Sequence, residues 1–154
     1  MGEHRIRLEW KGGETPFTYE TYPRNHEIAF KDGAESLVVS GAAAYRGDAG
    51  KADPEDLLVA ALSSCHMLSF LAICAKKRLT LESYQDEATG WLENAPTENG
   101  PGKLWITRVT LKPYVVFSGP QKPTSAEIEH IHHLANEACF IANSVKTDVR
   151  VEPR

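Results

Sequence analysis

The sequence predicts a single α+β domain over residues 1–154, with a mostly antiparallel sheet. Stretches in which apolar and polar residues alternate, as in half-buried strands, are interrupted by two stretches with helical periodicity. The resulting order is strands, helix, strands, helix, strand, which is typical of α+β proteins. Of the 154 residues, 42% are hydrophobic and 25% are charged, the ordinary composition of one globular domain with its own core.

The first third of the chain is predicted to form short strands. Alternation over residues 4–22, broken by a glycine pair, predicts a β-hairpin. A third strand is expected over residues 26–30, closed by a turn at 31–33. A strand fragment at 36–41 then leads into a loop of small residues.

A long helix is predicted to begin after Asp53, which can cap it. Pro54 suits the first helical position, and Glu55 and Asp56 complement the positive end of the helix dipole. Basic residues ending near Lys77 suit the negative end, so the helix should run to about that residue.

The interior of this helix, residues 57–75, carries no formal charge and approaches the length that crosses a membrane. It also contains three serines and His66, and it is rich in alanine. A helix that is apolar on nearly all sides is typical of a central helix covered by other elements or by a second subunit. We therefore expect no membrane span.

The net charge bears on the kind of binding partner, and the first residues of the chain bear on its location in the cell. The net charge of −4 argues against a nucleic-acid partner, which requires a basic surface. The first ten residues lack the apolar core of a signal peptide, so a cytoplasmic location is expected.

The second half is predicted to contain two longer strands, over residues 79–94 and 104–117, joined by a loop over 95–103. An alternating strand over 144–153 is expected to close the chain.

A second helix is predicted over residues 123–140. Thr124 and Glu127 have the spacing of a capping box. Four apolar residues fall on one helical stripe, which we expect to face the core: Ile128, Ile131, Ala135 and Ala138.

Three cysteines in a reducing compartment are core thiols, metal ligands or redox residues rather than a disulfide framework. Cys65 and Cys74 would lie about 13 Å apart along the first helix and on opposite faces, so they cannot form a disulfide. Cys74 is expected to be a buried small hydrophobe. Cys139 ends the second helix, so Cys65–Cys139 is the plausible pair within the chain, although both could equally be core cysteines.

A reactive Cys65 would need a nearby cation, because it lies about three turns inside its helix and gains little from the dipole. His66 is adjacent in sequence, but its side chain should point about 100° away. Arg24 and His26 are candidates, since Pro23 and Arg24 interrupt two strand patterns. An arginine in such a place is otherwise a solvated loop residue.

Two segments resemble the OsmC/Ohr family of thiol-dependent peroxidases. They are DPEDLLVAALSSCHMLSFL, residues 53–71, and ANEACFIANSV, residues 135–145. In the first, an acidic, proline-started helix leads to a cysteine ten residues after Glu55. In the second, a cysteine at a helix end precedes a short apolar stretch and a final strand. The resemblance covers nearly the whole chain and implies two antiparallel sheets around two long central helices, in an intertwined homodimer.

The resemblance also implies a peroxidase mechanism. A thiolate attacks the O–O bond of a hydroperoxide and becomes a sulfenic acid, and a second cysteine condenses with it. A thiol or dithiol reductant then reduces the disulfide. Transferred to this sequence, Cys65 attacks and Cys139 resolves, while Arg24 stabilises the thiolate and Glu55 holds Arg24. His26 is a second candidate for the place of Arg24, and whether Arg24 acts in its own or the partner subunit is open.

The resemblance implies no cofactor and no metal. Met67, Leu68, Phe70 and the loop 41–52 are expected to line the substrate pocket, which would favour an organic hydroperoxide over hydrogen peroxide.

A metal site is one alternative function. His130, His132 and His133 lie close to Cys139 in sequence, but no established zinc spacing is present. Histidines beside glutamates on a helix are more typical of a solvated polar face, which is what we expect here.

Two further alternatives concern Cys65. A cysteine hydrolase would use His66 as its base, but adjacent residues of a helix do not readily form the nucleophile–base hydrogen bond. A non-catalytic binding protein with the same fold is also possible, because fold does not fix function. A slow, ordinary Cys65 thiol would indicate the binding protein.

Overall fold

The computed structural model describes residues 2–97 and 100–154, which form two compact units, residues 1–57 and 58–154. The predicted single domain over 1–154 stays a prediction. Three sheets and two helices are described, so the α+β class is confirmed.

The amino-terminal unit contains one antiparallel sheet of three strands, β1 (Ile6–Glu9), β2 (His26–Phe30) and β3 (Glu35–Val39). The predicted turn at 31–33 joins β2 to β3. Asp32 and Gly33 have φ angles of 57° and 94°, a left-handed conformation that glycine adopts without a steric penalty.

The predicted hairpin over 4–22 is wrong, because β1 pairs with β2 and residues 18–22 form turns and bends. The hydroxyl of Thr21 donates to the carbonyl of Pro16, and the amide of Tyr22 donates to the carbonyl of Thr18 at 3.0 Å. These local hydrogen bonds pair backbone groups that would otherwise need a partner strand. Threonine and proline are common in turns for this reason, because the threonine hydroxyl bonds to nearby backbone groups and proline presets a turn conformation.

Helix α1 (Pro54–Lys76) confirms the predicted long helix, and Asp53 caps it. The amide of Asp56 donates to the carboxylate of Asp53 at 2.9 Å, and the amide of Asp53 donates back to Asp56 at 3.2 Å. The buried residues of α1 fall on a single stripe at intervals of four: Leu62, His66, Phe70 and Cys74.

The stripe of α1 that contains Ala60, Ser64, Leu68 and Ala72 is exposed, and the positions between it and the buried stripe are half-buried. By length and composition alone the helix could cross a membrane, and 22% of its most apolar 18 residues are buried. Leu68, on the uncovered side, is 60% exposed. Within the single chain, α1 is therefore less buried than we expected for a central helix.

The two longer strands predicted after α1 are each divided into two, giving β4 (Thr80–Asp86), β5 (Thr89–Thr97), β6 (Gly100–Leu111) and β7 (Pro113–Ser118). β4 pairs with β7, and β5 pairs with β6, so the chain changes sheet near residues 87 and 112. Most of the predicted loop over 95–103 is strand instead, and its residues 98 and 99 lie outside the described residues.

Helix α2 (Ser125–Ala138) begins with the predicted capping box, in which Thr124 and Glu127 exchange hydrogen bonds. The last strand, β8 (Asp148–Val151), is shorter than predicted and pairs in parallel with β6. Strands β5, β6 and β8 form one sheet and β4 and β7 another, so the carboxy-terminal unit has two sheets and one parallel pairing.

Two apolar clusters pack against α1 in this unit. In the first, Phe70 and Cys74 of α1 contact Ile131 and Ala135 of α2, with residues of β4 and β7 around them. In the second, Leu62 packs against β6 and β8. The first cluster brings α2 alongside α1 and so sets where the end of α2 lies.

Candidate active site

The structure brings Cys65 and Cys139 into contact. Cys65 lies in the middle of α1 and is half-buried, whereas Cys139 caps the end of α2 and is 1% exposed. The Cys65 side chain lies close enough to the Cys139 thiol to raise its pKa, and Ala138 and Phe140, on either side of Cys139, line the same cavity as Cys65. Both cysteines are free thiols.

Several groups act on the ionisation of Cys139. Burial raises its pKa to about 11, and the hydrogen bond to Cys65 and the negative charge of a Cys65 thiolate act in the same direction. The amides of Ile141 and Ala142 oppose this more weakly, the second donating to Cys139 Sγ over 3.3 Å. Because its neutral form is favoured, Cys139 keeps its proton at neutral pH.

A cavity of about 590 Å³ opens at Cys65. Its walls are mostly apolar, and three polar residues, Ser64, Ser69 and Lys76, line it beside Cys65. The other lining residues are apolar: Ala61, Leu68, Ala72, Ile73, Ala138, Phe140 and Ile141. The cavity is therefore suited to a ligand with a hydrocarbon body placed against a sulfur atom.

The predictions for the pocket are confirmed only in part. Leu68 lines the cavity, but Phe70 does not, because it is fully buried in the core against α2. Met67 is not among the lining residues. The proposed role of the loop 41–52 stays a prediction.

Cys74 is fully buried in the core, as predicted, and burial raises its pKa to about 11. It is a packing residue with no part in the site.

His66 points away from Cys65, as predicted, and meets His132 of α2. The nitrogens His66 Nε2 and His132 Nδ1 lie 3.1 Å apart, and the two rings are nearly parallel at 8°. Burial lowers the pKa of both imidazoles to about 4, although the nearby carboxylate of Asp86 partly offsets this for His66. Both rings are therefore neutral at neutral pH, so one donates and the other accepts.

The expectation of a solvated histidine face is wrong for His132, which is 3% exposed. Its neighbours follow the expectation: His130 is exposed, and His133 forms an exposed contact with Glu137 at 3.4 Å. Within residues 2–97 and 100–154, no group of three His, Cys, Asp or Glu side chains is arranged to hold a metal ion.

Arg24 lies in the amino-terminal unit, just before β2, and is held by its own loop. Its guanidinium donates to the carbonyl of Tyr22 at 2.5 Å and to that of Tyr19, and it lies 3.6 Å from the centroid of the Tyr22 ring. The carbonyl of Arg24 contacts Nδ1 of His26 at 2.9 Å. These contacts fix the loop that carries Arg24 and its junction with His26, the first residue of β2.

Glu55 lies in the first turn of α1 and is half-buried. Among the described residues of the chain it forms no ion pair with Arg24, whose contacts are with backbone carbonyls and aromatic rings. The roles of Arg24, His26 and Glu55 stay predictions.

A protein-family model described as OsmC-like protein matches residues 47–154, which include both cysteines. The chain belongs to the OsmC-like family. The family predicted from the two cysteine segments is therefore confirmed.

Solved structures agree with this assignment. An OsmC-like protein of unknown function from Vibrio cholerae is 44% identical over the whole of both chains, with a TM-score of 0.90. An organic hydroperoxide resistance protein from Legionella pneumophila is 20% identical, covers 99% of this chain and 97% of its own, and has a TM-score of 0.67. OhrB of Bacillus subtilis, also an organic hydroperoxide resistance protein, is 17% identical over 97% and 98%, with a TM-score of 0.65.

The last two likenesses establish a shared fold. No curated protein matches the chain. Organic hydroperoxide resistance proteins are thus among the proteins that share this fold, and the activity of the chain itself must be argued from its site.

Proposed function

We propose that this OsmC-like protein is a thiol-dependent peroxidase that reduces organic hydroperoxides. The observation that carries the proposal is a free Cys65 thiol at an apolar cavity of about 590 Å³, whose wall also contains Ala138 and Phe140, the two neighbours of Cys139. Two free thiols in contact can form a disulfide, and the cavity gives a hydrocarbon-bearing peroxide access to one of them.

The first step uses Cys65. Its thiolate attacks the terminal oxygen of ROOH, the O–O bond breaks, and Cys65 becomes a sulfenic acid while RO⁻ takes a proton from solvent to give ROH. Cys139 cannot compete for this role, because it is almost fully buried and its pKa is raised to about 11.

The second step uses Cys139. Its sulfur, already next to Cys65 Sγ, attacks the sulfenic acid; the thiol proton leaves with the hydroxide as water, and the Cys65–Cys139 disulfide forms. An external thiol or dithiol reductant returns both cysteines to thiols by exchange. We further propose that Arg24, of the same or the partner subunit, stabilises the Cys65 thiolate and the leaving alkoxide, and that Glu55 then pairs with it in place of the carbonyls of its own loop.

The proposal includes a homodimer. The uncovered side of α1 exposes apolar residues such as Leu68, and Phe140 beside the cavity is 82% exposed. A second copy of the chain packed on this face would remove these side chains from water and would narrow the cavity around the substrate.

The test is intact mass under non-reducing conditions, before and after one equivalent of cumene hydroperoxide. We expect the wild type to lose two hydrogens, Cys139→Ser to gain one oxygen at Cys65, and Cys65→Ser to be unchanged. Cys74→Ser is the matched control and should behave as the wild type. A wild type whose mass does not change, with thiols that titrate in denaturant, would identify a binding protein of the same fold instead.

A further inference from the structure

The buried pair of histidines joins the two helices that carry the cysteines. His66 of α1 is 0% exposed and His132 of α2 is 3% exposed, and their facing nitrogens are 3.1 Å apart. Such a hydrogen bond between two side chains in the interior is directional, and its length and angle tolerate little change.

The positions of the two histidines relate them to the two cysteines. His66 directly follows Cys65 on α1, so the backbone of one fixes the backbone of the other. His132 precedes Cys139 by seven residues, which is about two turns, so the two lie on the same side of α2. Helices α1 and α2 therefore meet through a histidine contact and a cysteine contact.

The remaining contacts between the helices are less specific. Phe70 stacks on His132 with ring centroids 4.2 Å apart, and Phe70 and Cys74 pack against Ile131 and Ala135. Apolar packing of this kind favours burial but does not by itself fix a helix along its axis, because the hydrophobic effect is not directional. A shift of α2 by a fraction of a turn would separate Cys139 from Cys65.

We propose that His66 and His132 are positioning residues, whose hydrogen bond sets α2 against α1 so that the Cys139 thiol lies at Cys65. The inference rests on the proposed function, in which Cys139 resolves the sulfenic acid of Cys65. Neither histidine touches the substrate. Their effect is on how readily the two sulfurs meet.

The test compares two double variants. His66→Gln with His132→Asn places amide atoms where Nε2 and Nδ1 now lie, so the pair can form a hydrogen bond again. His66→Phe with His132→Phe keeps two flat rings and removes the hydrogen bond, and with both partners apolar it leaves no buried polar atom unpaired.

The quantity measured is the equilibrium constant for forming the Cys65–Cys139 disulfide in glutathione buffers at pH 7.5, read by intact mass. We expect the Phe pair to lower this constant by about fivefold, which corresponds to the net free energy of one ordinary hydrogen bond, and the Gln/Asn pair to stay close to the wild type. Leu79→Ala, in the same apolar cluster, is the structural control. It should lower the stability to urea without lowering the constant.

Three results would overturn the inference. They are a Phe pair equal to the wild type, a Gln/Asn pair as weak as the Phe pair, and a wild type that forms no disulfide. Glutathione replaces peroxide in this test, so a protein that forms the disulfide but does not consume cumene hydroperoxide would reject the peroxidase and still report on the histidines.

Discussion

At the scale of single residues, the site depends on which of the three thiols are buried. Cys74 and Cys139 are buried, and burial raises the pKa of each to about 11. Cys65 is half-buried and opens to the cavity. A peroxide can therefore reach the sulfur of Cys65. The buried sulfur of Cys139 reacts only after Cys65 has become a sulfenic acid.

We expect iodoacetamide at pH 8 to label Cys65 first in the native protein, with Cys139 and Cys74 modified only in denaturant. Peptide mapping after timed quenching measures the order. In Cys65→Ala the hydrogen bond and the charge that raise the pKa of Cys139 are absent, so labelling of Cys139 should become faster. Equal labelling of Cys139 with and without Cys65 would contradict the coupling between the two thiols.

The sequence permits part of this site to be predicted. Cys65 and Cys139 stand out because each lies at a recognisable place on a helix, and their helices are long enough to pack together. His132 is mispredicted, because its neighbours Glu129 and His133 are polar and only the packing of α2 on Phe70 shows which side faces inward. The sequence does contain one signal, because His132 follows Ile128 by four residues and precedes Ala135 by three, which places it on the same stripe.

At the scale of secondary-structure elements, the histidine pair has a consequence for stability in acid. The pKa of His66 and that of His132 are lowered to about 4 in the folded chain, against 6.5 for an exposed histidine. The unfolded chain therefore binds more protons than the folded chain between pH 6.5 and pH 4, so stability falls as the pH is lowered through this window. For one imidazole the loss amounts to about 3 kcal/mol.

Urea unfolding at pH 7, 5.5 and 4.5 should show this loss in the wild type. The variant with phenylalanine at both positions lacks the two titrating groups, so its free energy of unfolding should fall less over the same range. Carboxylates titrate in both proteins and cancel in the comparison. If the free energy of unfolding fell equally with pH in the two proteins, the histidines would not be the acid-sensitive groups.

The capping box of α2 gives a second test at this scale. Thr124 accepts from the amide of Glu127, and the Glu127 carboxylate accepts from the amide of Thr124 at 2.8 Å. Thr124→Ala removes the cap and should cost about 1 kcal/mol of stability, whereas Thr124→Ser keeps a hydroxyl and should cost little. Thermal unfolding followed by circular dichroism measures both, and equal values for the two variants would contradict the role of the cap.

The elements that the sequence predicts well are those whose ends are marked by local signals. Both helices begin at residues with local signals, Asp53 with Pro54 and Thr124 with Glu127, and both are found where predicted. The strands after α1 are mispredicted because nothing local marks where the chain passes from one sheet to the other. Asp86 marks that point in the structure, accepting from the amide of Lys112 at 2.6 Å, a contact between residues 26 positions apart.

At the scale of the whole molecule, the uncovered side of α1 is the feature that the single chain leaves unexplained. Leu68 is 60% exposed on a helix with almost no charge, beside the cavity at Cys65. In the proposed homodimer this residue would be buried, so Leu68→Glu should weaken dimerisation by placing a charge in an apolar interface. Sedimentation velocity over a range of concentrations measures the effect. Leu104→Glu, at a leucine of β6 that is 58% exposed, is the matched control and should leave the dimer intact. A wild type that sediments as a monomer, or two variants that behave alike, would contradict a dimer built on α1, and the apolar face would then need a different partner.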